Sequence, residues 1–532
     1  MIFSKSLPRL SVRGSSKAKP RVRARSVDEL INNSSLFLNR QPLEFDLLSQ
    51  IVHIASLATS GMSRDALFAQ MAELPYCTAA YFRRVHYVAQ RLNYDYSRAC
   101  QIVADSTKVE PVRNLLLRFA SALSAGESEE TFLQREMNVQ LEEYSSKYHR
   151  DIETLQKWTD AFVALSVSAT LIVVVSLVST MIYSIGSLFI LAMAGIVVAV
   201  NALGVWIIFR TAPHEVKSSR LPERSEERER AIRAATICIP VGAVAGLAAA
   251  IMFGVGAGLM VVGLALIPPG VFAIIDDLRI DGRDRAVADF FRALGGIVGA
   301  VGATLLDGLQ RLNRRSLGAL APMVERLEIR LKGQIRTELC WYRFTAESGS
   351  ELVDRATRMF FSAMQHGGDA TRVGKFVSDY AMKVTILRAN RKLVANTFTM
   401  LMIPLHAVLV AIILFVTQVL VVFATELARI EQESFQDSSL AADAGFTSVL
   451  TFAAPNVSFI TAMATGVILI LTVTNSLAPY VASGGHRLRL CIFAAAMLIM
   501  SGLSLMFIPA IVQGLFANVS GDLQTTATPP PF

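Results

Sequence analysis

Several stretches of this chain stay apolar for longer than the roughly 18 residues that a membrane crossing requires, and the polar stretches between them repeat apolar residues at spacings of three and four. The long runs predict spans at 161–183, 187–209, two within 236–275, then 398–424, 457–478 and 490–516. Read as one helix, 236–275 would measure about 60 Å, twice the hydrocarbon core, so a fold-back at Gly254-x-Gly256-x-Gly258 is predicted and seven spans result. The polar stretches read as helix. Phe45, Leu48, Ile51, Val52, Ile54 and Ala55 mark one face, and Leu294, Ile297, Val298, Val301 and Leu305 mark another; no alternating strand pattern of useful length occurs. The second face, interrupted by Gly295, Gly296, Gly299 and Gly302, is not counted as an eighth span, because Arg292 and Asp307 leave its apolar core too short. The fold class predicted is an all-α polytopic membrane protein with about seven transmembrane helices and two cytoplasmic helical bundles.

One pattern occurs twice, about 241 positions apart. Phe119-x-Ser121-Ala122-Leu123-x-x-Gly126 is followed by Ser128, which opens a long charged helix entering an apolar run near Ala161. Phe360-x-Ser362-Ala363-Met364-x-x-Gly367 is followed by Asp369, which opens a similar helix entering an apolar run near Met402. Glycine, side-chain cap, long helix and membrane entry fall in register, which predicts a duplicated helical domain fused to its spans. The plan that follows is a basic disordered arm (1–40), a first helical domain (41–158), four spans with a basic link at 210–235 (159–275), a second helical domain (276–397), three spans with an acidic loop at 425–456 (398–516) and a tail (517–532).

Charge sets the expected orientation. The link 210–235 carries seven basic residues, and 479–489 has Arg487 and Arg489 without an acid, so both are expected to face the cytoplasm. The link 425–456 sets Arg429 against Glu426, Glu431, Glu433, Asp437 and Asp443 and is expected outside. Alternation then puts the N-terminus and both helical domains in the cytoplasm and the C-terminus outside, in the cell membrane. Residues 1–27 hold eight Lys or Arg and no acid, which suits an arm lying on anionic membrane lipid; an organelle transit peptide has the same composition. No apolar signal region precedes the first span, which is expected to act as the insertion signal. Asn456-Val457-Ser458 and Asn518-Val519-Ser520 match the glycosylation sequon on the outer side.

Candidate chemistry is sparse. Cys77, Cys100, Cys238, Cys340 and Cys491 are scattered and form no CxxC or Cys/His cluster, so they read as packing residues. The run from Gly368 to Gly374-Lys375-Phe376 has one residue too many for a phosphate loop, Phe where a magnesium-holding hydroxyl belongs, and a helix before it. His406, beside Pro404 in the fifth span, lacks carboxylate partners for a proton relay and is expected to reach the interface. No catalytic residue, cofactor or metal site is expected. Residues 276–397 carry 20 Lys or Arg against 14 Asp or Glu, a surplus of six within a whole-chain charge of +8. Arg311, Arg314, Arg315, Arg326 and Arg330 form a candidate docking surface for an acidic partner, whereas Arg388, Arg391 and Lys392 are explained by topology alone. Nucleic acid is not expected, since no aromatic-interleaved module accompanies the charge.

Asp289-Phe290-Phe291-Arg292-Ala293-Leu294-Gly295-Gly296, Trp341-x-x-Phe344-x-x-Glu347-Ser348-Gly349, Gly367-Gly368-Asp369 and Ile403-Pro404-Leu405-His406 occur in that order. Together they resemble the archaeal platform proteins of type IV filament systems, within the superfamily of type II secretion F-domain proteins. The resemblance covers 280–425, with 41–210 as a diverged first F domain in which Ala104-Asp105-Ser106 matches Ala346-Glu347-Ser348 and Glu127 replaces the second glycine. It implies a non-catalytic membrane platform that works as a homodimer, meets a hexameric secretion ATPase with its F domains, and handles pilin-like or archaellin subunits. A transporter or channel is the competing class, although the repeat here is largely outside the membrane and the spans carry few ionisable groups.

Overall fold

The register suggested by Phe119 and Phe360 holds helix by helix. The computed structural model describes residues 43–182, 187–219, 221, 225–437 and 457–526, so the arm 1–40, the link 438–456 and Asn456 lie outside the described residues. The first helical domain comprises α1 (Leu43–Ala58), α2 (Arg64–Glu73), α3 (Ala79–Leu92), α4 (Tyr96–Ser106), α5 (Glu110–Ser124) and the start of α6 (Glu129–Ile182). Next come α7 (Ser187–Thr211), α8 (Glu226–Phe253) and α9 (Val255–Val301). The second domain adds α10 (Leu305–Arg311), a 3₁₀ segment (Arg314–Leu320), α11 (Ala321–Lys332), α12 (Thr337–Ser348), α13 (Glu351–Gln365) and the start of α14 (Ala370–Asp437). α15 (Val457–Ser483) and α16 (Leu490–Thr526) complete the bundle.

Arg64 and Leu305, Glu110 and Glu351, Ser124 and Gln365, and Glu129 and Ala370 are each helix boundaries 241 positions apart. The unusual backbone positions obey the same shift. Gly61 and Gly302 have φ of 64° and 62°, Gly126 and Gly367 have 74° and 79°, and among the described residues the two non-glycine positions with positive φ are Asn93 and Gln334. Caps recur as well: Ser63 accepts from the Ala66 N–H, and Thr304 accepts from the Asp307 N–H. Ser128 caps α6 by accepting from the Thr131 N–H at 3.2 Å, and Asp369 caps α14 by accepting from Thr371 and Arg372 at 2.9 and 3.2 Å. The repeat therefore begins at α1, whose counterpart is the 284–299 stretch of α9.

Among the described residues seven helices are long and apolar enough to cross a membrane: α6, α7, α8, α9, α14, α15 and α16. The chain is an all-α multi-pass membrane protein. The expected fold-back falls at Gly254, which has φ of 93° and separates α8 from α9. Gly242 and Gly246 bring α8 against Ala265 and Val262 of α9, and Gly263 brings α9 against Ile499 of α16, so these small residues serve packing within the chain.

Domain and membrane are not separate bodies. The boundaries expected at 158, 275 and 397 fall inside single helices of 54, 47 and 68 residues, about 80, 70 and 100 Å long. α14 and α16 also run past the expected span ends, to Asp437 and Thr526, so Asn518 lies within a helix. α6 and α14 run parallel and nearly in register. Glu130 pairs with Arg372, Glu142 pairs with Lys383 at 3.0 Å, and the rings of Phe162 and Phe398 meet edge to face at 6.2 Å. α9 crosses α14 closely at Gly295 and Gly374: a Cβ on Gly374 would stand 2.6 Å from the Phe291 carbonyl and 3.0 Å from the Gly295 Cα. That crossing is what Gly374 of the would-be phosphate loop provides, and Lys375 beside it is exposed.

Candidate functional site

The sequence pattern that looked like simple topology builds a concentrated ionic site. Asp277, Asp281 and Asp284 recur at helical spacing on one face of α9, and Arg388, Arg391 and Lys392 do so on α14. Both faces stand where their helices turn apolar. The extended link after α7 is stitched alongside: Ser219 donates to the Gly349 carbonyl at 2.8 Å, Glu351 donates to the Lys217 carbonyl at 3.0 Å, and Ser218 and Ser350 form an antiparallel bridge. This carries Glu215 and Lys217 into the junction.

Arg388 holds Glu215 through Nε and Asp284 through Nη1, the latter at 2.5 Å. All three side chains are more than nine-tenths buried. The Tyr148 hydroxyl of α6 donates to Glu215 at 3.0 Å, so one arginine ties α6, the link, α9 and α14 together. Asp281 pairs with Lys217 at 2.6 Å and Lys392 at 2.8 Å, and Asp277 meets Arg489 at 3.5 Å. Arg391 instead donates to three carbonyls, Pro213, Ala482 and Val481, at 2.7, 3.1 and 3.3 Å. The 484–485 turn is shaped around these groups: a Cβ on Gly484 would stand 2.8 Å from Arg391 Nη2, and one on Gly485 would stand 2.7 Å from Asp277 Oδ2.

The three carboxyls respond differently to burial. Burial pushes each upward, but the Arg388 and Arg391 charges and the Tyr148 hydroxyl bring Glu215 below its ordinary range. Lys217 and Lys392 do the same for Asp281. At Asp284 burial outweighs Arg388 and the Ser350 hydroxyl, and its carboxyl is raised. Such a junction is rigid while complete, and removing one partner leaves a buried charge without compensation.

A second buried network lies between the two domains. Asp46 of α1 pairs with Arg355 of α13 at 2.7 Å, Arg355 also donates to Ser49 and Glu351 at 2.9 Å each, and the Tyr380 hydroxyl meets Ser49 at 2.9 Å. The guanidinium stacks over Phe45, 4.5 Å from the ring centre.

The residues singled out from sequence are placed as follows. Arg314 pairs with Glu325 and Glu328, and Arg326 and Arg330 both hold Glu347, so three of the five candidate docking arginines are engaged within the chain. Arg311 and Arg315 are exposed and not ion-paired among the described residues. Phe290, Phe291 and Trp341 are core, and Trp341 meets Phe344 edge to face. Gly349 ends α12 with φ of 63°, Gly368 packs against Thr59 of the first domain, and Gly296 faces open space. The cysteines are free thiols. His406 is fully buried, with Pro404 inside the same unbroken helix. Asn475 donates to its Nδ1 at 3.0 Å, its Nε2 meets Ser501 at 2.9 Å, and Ser501 meets Thr472 at 2.7 Å, joining α14, α15 and α16. Among the described residues no His, Cys, Asp or Glu group has metal-binding geometry.

Glu215, Tyr148, Asp284 and the Asp46–Arg355 pair were not found from sequence. The link holds five acids, so the presence of Glu215 among them named no partner. Comparison with known proteins adds kinship. The chain is similar to flagella accessory protein J. It is 23% identical to that protein of Methanocaldococcus jannaschii over 308 residues, covering 56% of this chain and 55% of the relative. It is 22% identical to that of Methanococcus voltae over 427 residues, covering 76% and 73%. No protein-family model matches the chain. No solved structure matches it either.

Proposed function

We propose that this chain is a non-catalytic membrane platform for assembly of an archaeal surface filament, coupling a cytoplasmic secretion ATPase to the insertion of pilin-like or archaellin subunits. The observation that carries the reading is the pair of parallel helices, α6 and α14, each running without a break from a helical domain into the bilayer. A push on either domain travels along such a helix to the spans. The similarity to archaeal proteins named as flagella accessories supports the same reading, as does the ionic junction that locks both helices to α9. In this reading 276–397 is cytoplasmic, 425–456 is external, and the platform works as a homodimer. Arg311 and Arg315 are the cations left to attract an acidic face of the ATPase.

The test is deletion of the gene in its native host, complemented with wild-type and Arg311→Glu/Arg315→Glu chains, with filament counts and recovery of the ATPase with the full-length protein across a salt series. Loss of filaments on deletion, and weakened salt-sensitive recovery in the variant, are expected. Normal filaments in the deletion strain would sink the platform reading; unchanged ATPase recovery in the variant would remove only this docking surface. Labelling of an introduced thiol at Ser316 by an impermeant reagent in intact cells would overturn the orientation.

A further inference from the structure

Where α9, α14 and the 483–489 turn diverge at the edge of the apolar spans, they enclose a cavity of about 330 Å³. Its wall carries Lys217, Arg285, Arg388, Arg391, Lys392 and Arg489 against three acids, Glu215, Asp281 and Asp284. Asp277, which pairs with Lys217 and Arg489 from outside that wall, still leaves a surplus of two positive charges. The surplus has identifiable sources. Arg391 is held by backbone carbonyls alone, and Arg285, exposed at the rim, donates only to the Asp281 carbonyl at 3.2 Å. Arg388 is the decisive group. Its side chain is 9% exposed, Nε and Nη1 are taken by carboxylates, and Nη2 is buried without an acceptor; Arg489 Nε is in the same condition.

Unspent guanidinium donors in a pocket of surplus positive charge select a tetrahedral oxyanion, whose several oxygens can accept from more than one fork. The position selects its carrier. Leu393, 68% exposed at the rim, lies about one turn before α14 enters its apolar run, and Met400 and Leu401 continue the exposed apolar surface beyond it. We propose that the cavity binds the phosphate of an anionic phospholipid headgroup, with the lipid chains lying along the outer face of α14. The lipid would complete the junction that Arg388 organises, so the bilayer itself becomes a component of the contact between domains and spans.

The test uses the full-length chain in detergent micelles with dioleoyl phosphatidylglycerol, dioleoyl phosphatidylcholine or inorganic phosphate. Native mass spectrometry reads retained lipid, and thermal unfolding reads stabilisation. Phosphatidylglycerol is expected to be retained and to raise the unfolding midpoint more than phosphatidylcholine, with binding weakened about tenfold in Arg388→Gln. Because that variant removes a buried cation, Arg285→Gln/Lys392→Gln at the rim is tested beside it, with the same direction expected. Displacement of phosphatidylglycerol by millimolar inorganic phosphate, with the same dependence on these residues, would assign the site to free phosphate and overturn the lipid carrier. Equal retention of phosphatidylglycerol by wild type and the rim variant would overturn the site altogether.

Discussion

The two helical domains share caps, turns and helix ends at a constant shift of 241 positions, yet the same helical face is filled with opposite chemistry in each. On α1 the buried positions include Asp46, Ser49, Gln50 and His53; their counterparts on α9 are Val287, Phe290, Phe291 and Leu294. Each set is essentially sealed from solvent. The difference lies in what the face meets. The α9 set packs on rings of its own domain, Phe344 and Phe360. In the α1 set, Asp46 and Ser49 reach Arg355 and Tyr380 of the other domain, while Gln50 and His53 brace residues 71–78. A duplicated frame thus keeps its backbone punctuation, which local geometry dictates, while the side chains follow the partner. Apolar residues suffice within a domain, and a buried polar network fixes one domain against the other in a single register.

Substitutions that make one copy resemble the other test this. The largest effect is expected from Arg355→Met, which takes the guanidinium away from the buried Asp46 carboxylate; thermal unfolding of the full-length chain should show a loss of about 3–5 kcal/mol. Adding Asp46→Val, the residue of the other copy, should restore much of it, and failure to do so would mean that the network contributes more than charge balance. Next comes Gly374→Leu, which installs the first copy's Leu133. With the Phe291 carbonyl in the way, a loss of up to about 3 kcal/mol is expected, whereas Gly296→Ala, facing open space, should not destabilise.

One source of acid sensitivity, active between pH 7 and 5, belongs to the first copy, where His53 stands in place of Leu294. Burial, with Arg358 and His366 adding to it, lowers His53 from 6.5 to about 3. Below pH 6.5 the unfolded chain takes up a proton that the folded chain refuses, so stability falls with acid through that window, by about 2 kcal/mol at pH 5. His53→Leu, the second copy's residue, should flatten the unfolding midpoint over pH 7–5 by that amount; an unchanged slope would place the titration elsewhere. The smallest and most even effect belongs to the shared turn. Gly126→Val and Gly367→Val should each cost about 1–2 kcal/mol, because both residues use a left-handed conformation with nothing else nearby. A cost at only one of them would show that the turns are not equivalent.

What could be read from sequence was what is locally encoded. Seven apolar helices, the break at Gly254 and the turn glycines Gly126 and Gly367 follow from run length, spacing and capping residues within a few turns of each other. The front half of the repeat was hidden because positions such as Asp46 and Val287, or Ser49 and Phe290, share a backbone role and no chemistry. The junction was hidden for a different reason. Glu215 and Arg388 lie 173 positions apart, and a basic cluster before a span already has a sufficient explanation in membrane topology. Arg314, Arg326 and Arg330 show the converse: charge clustered in sequence looked available to a partner, but acids folded onto it from neighbouring helices.

The α1 network also bears on the order in which the chain is made. Ser49 leaves the ribosome 306 residues before Arg355, its hydrogen-bond partner. In the interval four spans are synthesised, and the Asp46 and Ser49 part of the α1 face must wait for the second domain. An apolar face like that of Phe290 and Phe291 would be a liability over such a delay, open to misassembly with other nascent helices. Asp46 and Ser49 are comfortable in water until the second domain arrives, while Gln50 and His53 meet residues 71–78 of their own domain early. The polar seam is a face that can afford to be late.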